Sequence, residues 1–458
     1  MTKAVILGGG LAGLLAAAAV APYATEVTLV ESDEMNAQPL PRKGIPQGRH
    51  SHTLMCGGAR AIEHLLPGTT NRLTELGARR LDLPADVLTC SAEGWYRRHP
   101  GSAYVLACSR PVIDHAVYRS LVAAHDIRIR TGTKAAGLIG DGARVTGVRT
   151  DSGTLSADLV IDATGRGSRA PQWLAELGVP PVHEAVVDPG LVYVTRRYDA
   201  PSVRLPAVMI QPRPGTGEPG MGAAIFPIEG GQWIVTMIGT RGGVPPTDPD
   251  GYTEFARRLR HSVVSDLLDR ARPAGPILSY RGTLNRRRHF ERVRLPEGFL
   301  AIGDAVTALN PNYGAGMSVA ARQAVVLRNH LARRGITDGL GRLAQAGAAK
   351  EANSAWNAAL GTDLWFPEVR STVGDGKAGQ FRFANRFART AAVSPVLARA
   401  LFDVHTFSAP EYRLLRPEVL LAVLRGPRRA PLSAAEALAQ FPELSGLLES
   451  KETIHAND

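Results

Sequence analysis

Residues 3–8, Lys-Ala-Val-Ile-Leu-Gly, read as a short buried strand that runs directly into Gly8-Gly9-Gly10-Leu11-Ala12-Gly13. An Ala/Leu-rich helix to about Ala21 follows, then a second strand, Glu-Val-Thr-Leu-Val-Glu, ending at Glu31. This is G-x-G-x-x-G set between a strand and a helix, with an acid about 20 residues further on. Each glycine has a physical task. Gly8 permits the tight turn, Gly10 lets the backbone approach a pyrophosphate, and Gly13 lets the helix lie close to the strand. The helix start offers free N–H groups and partial positive charge, and Glu31 can accept from ribose hydroxyls. The pattern predicts a dinucleotide-binding βαβ unit without choosing between FAD and NAD. It also argues against reading the apolar run after Lys3 as a secretory signal, because four glycines would break so short a helix. The expected location is the cytoplasm, and no stretch is long and apolar enough to span a bilayer.

Two later segments narrow the cofactor. Leu159-Val160-Ile161 form a strand ending at Asp162-Ala163-Thr164-Gly165. Gly298–Asp304 gives another strand ending in Gly303-Asp304, followed by Pro311, Gly314-Ala315-Gly316-Met317 and a helix to about Leu331. A carboxylate at a strand mouth can hydrogen-bond a ribityl hydroxyl, a charged bond of roughly 1.5–3 kcal/mol. The helix start at Gly314–Gly316 can face the pyrimidine end of a flavin, where negative charge gathers on reduction.

These three glycine-rich segments, in this order, resemble the class A FAD-dependent monooxygenases, the superfamily of para-hydroxybenzoate hydroxylase, over about residues 1–335. The resemblance implies FAD as cofactor, Glu31 on the adenosine ribose and Asp304 on the ribityl chain. It also implies that Arg110, in Cys-Ser-Arg-Pro-Val-Ile-Asp-His, opens a long helix and reaches the flavin. The expected cofactor-binding set is Gly8, Gly10, Leu11, Ala12, Gly13, Glu31, Ser32, Arg42, Lys43, Arg110, Lys134, Ala163, Thr164, Gly165, Gly303, Asp304, Pro311, Gly314, Ala315, Gly316 and Met317. Segments 41–54, 57–70, 231–243 and 303–318 are further similar to the stand-alone flavin epoxidases of actinomycete polyether biosynthesis. That closer likeness implies an antibiotic-type secondary metabolism. It implies transfer of one oxygen atom, through a flavin C4a-hydroperoxide, to a carbon–carbon double bond of a hydrophobic polyketide-like intermediate. In such a reaction the cofactor carries the chemistry, and the protein excludes water and holds the carbon near the flavin. No catalytic side chain is assigned. His50 and His52 lack a third metal ligand; in the family the 41–54 loop lies at the flavin edge.

The chain departs from the family pattern in three places. Many class A hydroxylases carry Asp-Gly where this chain has Thr164-Gly165, and that aspartate helps couple FAD and NADPH binding. Reduction by NAD(P)H directly or through a separate flavin reductase therefore both stay open. Thr307 and Ser318 stand where a histidine and an asparagine are usual.

The expected fold class is α/β: a Rossmann-type, glutathione-reductase-like FAD-binding domain interleaved with a mixed β-sheet substrate domain, plus C-terminal helices. The FAD domain gathers 1–72, 105–170 and 290–335, and the substrate domain 73–104 and 171–289. A helical region covers 336–426, and 427–458 form a loosely held tail. Leu191–Tyr198, Met221–Ile228, Trp233–Gly239 and Ile277–Asn285 read as strands, with Glu229-Gly230-Gly231-Gln232 as a hairpin turn. Phe226, Trp233, Met237 and Tyr280 are candidates for an apolar pocket, with core packing the plainer reading of each. Around Phe383 and Phe387, Arg382, Arg386 and Arg389 occupy another helix face. This basic amphipathic stretch is read as packed on the body with one solvated face, so membrane contact is not expected.

Composition excludes several other classes. Hydrophobic residues are 44% and charged residues 21% of 458, which is globular rather than disordered or fibrous. The three cysteines, Cys56, Cys90 and Cys108, show no CxxC spacing, so neither a disulfide scaffold nor a zinc ribbon is expected. The net charge of +11 is carried largely by arginine, a bias that fits a GC-rich genome better than nucleic-acid binding. Expected partners are a hydrophobic small molecule and O₂, with a flavin reductase or a carrier protein as possible protein partners. Alternatives are an aromatic or terpenoid hydroxylase and a flavin-dependent reductase or dehydrogenase on the same fold. A halogenase needs a Trp-x-Trp-x-Ile-Pro-like tunnel and a lysine, to which only Glu93-Gly94-Trp95-Tyr96 is faintly similar.

Overall fold

The computed structural model describes residues 1–35, 38–201, 203–374 and 378–449. Its organising layer is a parallel sheet of five strands: Phe299–Ala301, Leu159–Asp162, Lys3–Leu7, Glu26–Val30 and Arg128–Arg130, in that order. Parallel strands covered on both faces read as continuous apolar runs, and Lys3–Leu7 shows why. Ala4 and Ile6 point into a core shared with the Leu11–Val20 and Gly316–Arg334 helices. Val5 and Leu7 point into a second core with Trp173, Leu174 and Phe290. The Leu11–Val20 helix is buried almost all round, and its alanines let it sit close between sheet and neighbouring helices.

A larger mixed sheet forms the second layer. Its central strands are Val192–Asp199, Gln232–Gly239, Met221–Ile228 and Ala207–Ile210. Period-2 alternation divides its residues. Val194, Ile225, Val235 and Met237 face a core built with the Pro249–Arg257 and Val263–Leu268 helices. Thr195, Thr236 and Phe226 lie on the opposite side, where His50 and Ser51 of the 41–54 loop meet the two threonines. The Gly230–Gly231 turn joins the central hairpin, both glycines taking positive φ.

Three local readings change. Ile277–Asn285 is not one strand: Leu278–Tyr280 pairs with Val192–Asp199, whereas Asn285–Arg288 pairs with Glu184–Asp188 in another sheet. The switch occurs through Gly282, whose absent Cβ would lie 2.7 Å from the Tyr280 hydroxyl. The mainly helical stretch after residue 340 is interrupted by a short strand, Arg370–Ser371, added to Glu184–Asp188. The stretch expected to be a loose tail is anchored over 433–449. Ser433 and Glu436 form a capping box, and Ala437, Phe441 and Leu444 are buried against the large sheet's core. Ala437 and Leu444 come from two successive helices, Ala434–Ala439 and Pro442–Glu449, and Phe441 from the break between them; the Arg98 guanidinium lies 4.6 Å over the Phe441 ring. The remainder of that tail, 450–458, lies outside the described residues.

Candidate active site

Register decides where the glycine-rich segments end up. Leu7 is level with both Asp162 and Val30, and Asp162 with Ala301, so four strand ends share one edge of the sheet. Ligands of open α/β sheets bind outside that carboxyl edge. There the chain leaves the strands at Gly8, Glu31, Ala163 and Ile302, and the departing loops enclose a cavity of about 690 Å³. Such a volume falls within the usual range of about 300–1,000 Å³ for small-molecule and cofactor sites.

Gly8, Gly10, Leu11, Ala12, Glu31, Ser32, Arg110, Lys134, Ala163, Thr164, Gly165, Asp304, Pro311, Gly314, Ala315, Gly316 and Met317 all line this cavity. Gly13, Arg42, Lys43 and Gly303 lie off its wall. Gly13 is the contact between helix and turn, for a Cβ there would stand 1.7 Å from the Gly8 carbonyl oxygen. Gly303 has positive φ and admits Ala12, whose Cβ would be 2.6 Å from its own. Arg42 sits behind Glu31, donating to the Gly9 carbonyl at 2.9 Å with its other nitrogen 3.5 Å from Glu31 Oε2. Lys43 is exposed.

The glycine turn fits the group that the sequence implies. A Cβ on Gly8 would meet the Ala163 carbonyl oxygen at 2.6 Å, while one on Gly10 would meet nothing within 4 Å and project into open space. Gly10 is also the N-cap of the Leu11–Val20 helix and offers no side-chain cap. Ala315 stands likewise before Gly316–Arg334 and Ser109 before Arg110–Ala124, with no capping side-chain bond at either. Three helix starts with unsatisfied N–H groups are suited to an anionic ligand. Glu31 anchors the turn, accepting from Gly9 N–H at 2.6 Å, Asp33 N–H at 2.9 Å and the Ser32 hydroxyl at 3.1 Å.

Several wall residues escaped the sequence reading. Arg166 donates to the Leu284 carbonyl at 2.8 Å and to the Leu309 carbonyl, with its Nε 3.6 Å from Asp304 Oδ2. It therefore ties the strand end at Asp162 to both 280s and 300s segments. Burial pushes the Asp304 carboxyl above its ordinary range, and Arg166 and Arg110 pull the other way. The available signal was the Arg that directly follows Thr164-Gly165. Asn310 beside Pro311 was also missed. Its amide and that of Asn285 donate to the buried Asp363 carboxylate, which also accepts from the Tyr313 hydroxyl at 2.6 Å. These bonds fix the 309–314 loop from behind.

The 41–54 loop does reach the cavity, through Gln47, Ser51, His52 and Thr53. His52 Nδ1–H donates to the His50 carbonyl at 2.9 Å, and burial with Arg110 nearby holds its pKa down to about 3. His50 contacts the Thr195 hydroxyl at 2.7 Å, and burial, then Arg49, holds it down to about 4. Both are neutral at physiological pH. Among the described residues no group of three potential ligands can hold a metal ion. Of the four pocket candidates only Tyr280 lines the cavity; Phe226, Trp233 and Met237 are core. Trp95 sits edge-on to His261 at 5.1 Å within the large sheet's core and does not line the cavity. Thr307 and Ser318 are buried and off the cavity wall, Ser318 facing Gly58.

The family described as FAD binding domain matches residues 1–335. This chain belongs to that FAD-binding family. A curated relative, Protein Rv3254 of Mycobacterium tuberculosis, is 29% identical over 349 residues, covering 72% of this chain and 73% of its own. Among solved structures, the flavin-dependent brominase Bmp2 is similar at TM-score 0.57 and 17% identity, covering 93% of each chain. PqsL, a probable FAD-dependent monooxygenase from Pseudomonas aeruginosa, is similar at TM-score 0.59 and 17% identity, covering 78% of this chain and 93% of its own. At these identities the solved structures speak to the fold. FAD is thus the cofactor, and no helix among the described residues is long and apolar enough to cross a membrane.

Proposed function

We propose that this FAD-binding enzyme is a monooxygenase of the epoxidase type, adding one oxygen atom from O₂ across a carbon–carbon double bond of a hydrophobic, polyketide-like molecule. The observation that carries the flavin part is the single wall made by segments 8–12, 163–165 and 304–317, with Arg110 on the same cavity. Bound FAD supplies the oxygen-activating redox chemistry. The chain's own residues bind, orient and shield.

In this reading the start of the Leu11–Val20 helix and Gly10 receive the pyrophosphate. Glu31 accepts from the adenosine ribose, a ribose hydroxyl taking the lone pair that Ser32 now shares. Lys134 and Ser32 flank that end. Asp304 accepts from the ribityl chain, and Arg110 reaches the cofactor from the opposite helix. The Gly316–Arg334 helix start faces the pyrimidine end. Tyr280, His52 and Leu309 on the cavity wall would meet substrate, and the Thr236 hydroxyl, bonded to Ser51 and Thr195, ties the 41–54 loop to the large sheet. No proton donor is assigned. The likeness of segments 41–54, 57–70, 231–243 and 303–318 to polyether epoxidases supports alkenes over arenes as substrate.

The test is reconstitution with FAD and O₂ in two arms, one reduced by NAD(P)H alone and one with a separate flavin reductase. Product from an alkene substrate should be heavier by one oxygen derived from labelled O₂. Arene hydroxylation would favour the hydroxylase reading. A product changed only by hydrogen, formed without O₂, would favour a reductase or dehydrogenase, and halide incorporation would remove the epoxidase reading. Cytoplasmic location and a carrier-bound substrate belong to the same proposal.

A further inference from the structure

Large apolar side chains left in solvent are not spread evenly over this molecule. Among the described residues, seven of the twelve lie between 383 and 424: Phe383, Val396, Tyr412, Leu415, Leu420, Leu421 and Leu424. Helical periodicity explains the densest part. In Pro417–Arg425, Val419 and Val423 face inward at 0% and 4% exposure, fixing which side of the helix meets the body. Leu420, Leu421 and Leu424 then share the outer arc, exposed by 41%, 43% and 74%. Leu415 and Tyr412, each exposed by 67%, extend the patch along the preceding turn. Arg386 donates to the Val423 and Leu424 carbonyls at 3.1 and 2.8 Å, which sets the helix bearing Phe383 alongside.

The surroundings are cationic. Arg382, Arg416, Arg425, Arg428 and Arg429 are exposed, and none makes a side-chain hydrogen bond or ion pair among the described residues. Of the nearby acids, Glu418 and Asp403 are already engaged by Arg413, and Glu411 is exposed. In sequence the stretch around Phe383 and Phe387 was the one with this character. The fold commits two of its cations elsewhere, Arg386 to the carbonyls above and Arg389 to Glu93 at 2.5 Å. The free apolar face belongs to the following helix instead.

We propose that this face docks the protein on an anionic lipid surface, the leucines entering the headgroup–acyl boundary and the arginines meeting lipid phosphates. A short surface helix with an apolar arc and unpaired flanking arginines is the pattern of an interfacial helix. Arginine stems can lie along the apolar patch while their heads reach phosphate. A protein partner fits less well, since leucine is under-represented among the anchors of protein interfaces. A membrane contact, not expected from sequence, is thus assigned to a different element from the one weighed there. This inference does not depend on which oxygenation reaction the flavin site performs.

The test is cosedimentation of the full, FAD-loaded chain with vesicles of phosphatidylglycerol and phosphatidylcholine, against vesicles of phosphatidylcholine alone. Expected is pelleting with the anionic vesicles, weaker with neutral ones and falling as salt is raised. Replacing both Leu421→Ser and Leu424→Ser should weaken vesicle binding about tenfold or more, at unchanged flavin content and thermal midpoint. Arg425→Gln with Arg428→Gln should lower the preference for anionic lipid. Absence of pelleting, or pelleting indifferent to the leucine replacements, would overturn the proposal. So would a dimer that the leucine variant converts to monomer, or capture by an acidic carrier protein while vesicles are ignored.

Discussion

Gly10 separates the needs of the ligand from the needs of the fold. A Cβ there meets nothing within 4 Å, and the residue has φ −73°, ψ 178°, which any amino acid can adopt. Gly10→Ala should therefore leave stability within about 1 kcal/mol of the parent, a small gain from restricting the unfolded chain being offset by alanine's poorer N-cap preference. The added methyl nevertheless occupies the space in which a pyrophosphate approaches the helix start. Losing one charge-assisted hydrogen bond costs about 1.5–3 kcal/mol, or roughly ten- to a hundredfold in FAD affinity. Gly13→Ala is the contrasting case. Its Cβ would stand 1.7 Å from the Gly8 carbonyl oxygen, so helix and turn must separate, at a cost of about 1–3 kcal/mol or more in stability. Flavin fluorescence titration and thermal melts of the apoprotein report the two effects independently. If Gly10→Ala binds FAD as tightly as the parent, or if it loses flavin and stability together, the assignment of that space to the cofactor fails.

Four further outcomes follow from particular residues. Asp304→Ala should weaken FAD binding by about ten- to a hundredfold, the worth of one charged hydrogen bond, with little change in secondary structure by circular dichroism. Phe441→Ala should cost about 3–5 kcal/mol in chemical denaturation, because the ring is 1% exposed in the core under the large sheet; a loss below about 1 kcal/mol would mean the 433–449 helices are not anchored. His50, held down to about 4, stays neutral in the folded state over a range where the unfolded chain takes up a proton. Stability from this group is therefore present above pH 6.5 and lost as pH falls towards about 4, by about 3 kcal/mol in full. His50→Gln should flatten that acid-side loss. Asp363, raised to about 6 by burial, acts with opposite sign, its stabilising effect falling as pH rises from about 4 to 6, so Asp363→Asn should steepen it.

Local patterns carried much of the architecture. A strand, a glycine turn and a helix are specified within about thirty residues, so Lys3–Leu7, Leu11–Val20 and Glu26–Val30 could be read directly from Gly8, Gly10, Gly13 and Glu31. The hairpin of Met221–Ile228 and Gln232–Gly239 was equally legible, since alternation and a Gly-Gly turn are short-range signals. The anchoring of Ala437, Phe441 and Leu444 was not legible, because it depends on two short helices meeting the core under the large sheet. What lies between distant segments was not legible. That Arg166 would bridge Leu284, Leu309 and Asp304 depends on three chain segments meeting, as does the Asp363 carboxylate that holds Asn310 and Tyr313. Nor does a sequence say which side of an apolar helix is covered. Val419 and Leu420 are chemically alike, and only the packing of the neighbouring helices buries one and leaves the other in solvent. The amino-acid order determined the elements, because those follow from backbone freedom and periodicity, and the resemblance of its glycine-rich segments to a flavin family implied the cofactor. The tertiary structure alone decided which side chains share a wall and which face stays open, because contacts between distant parts of the chain exist only once the sheets have set their register.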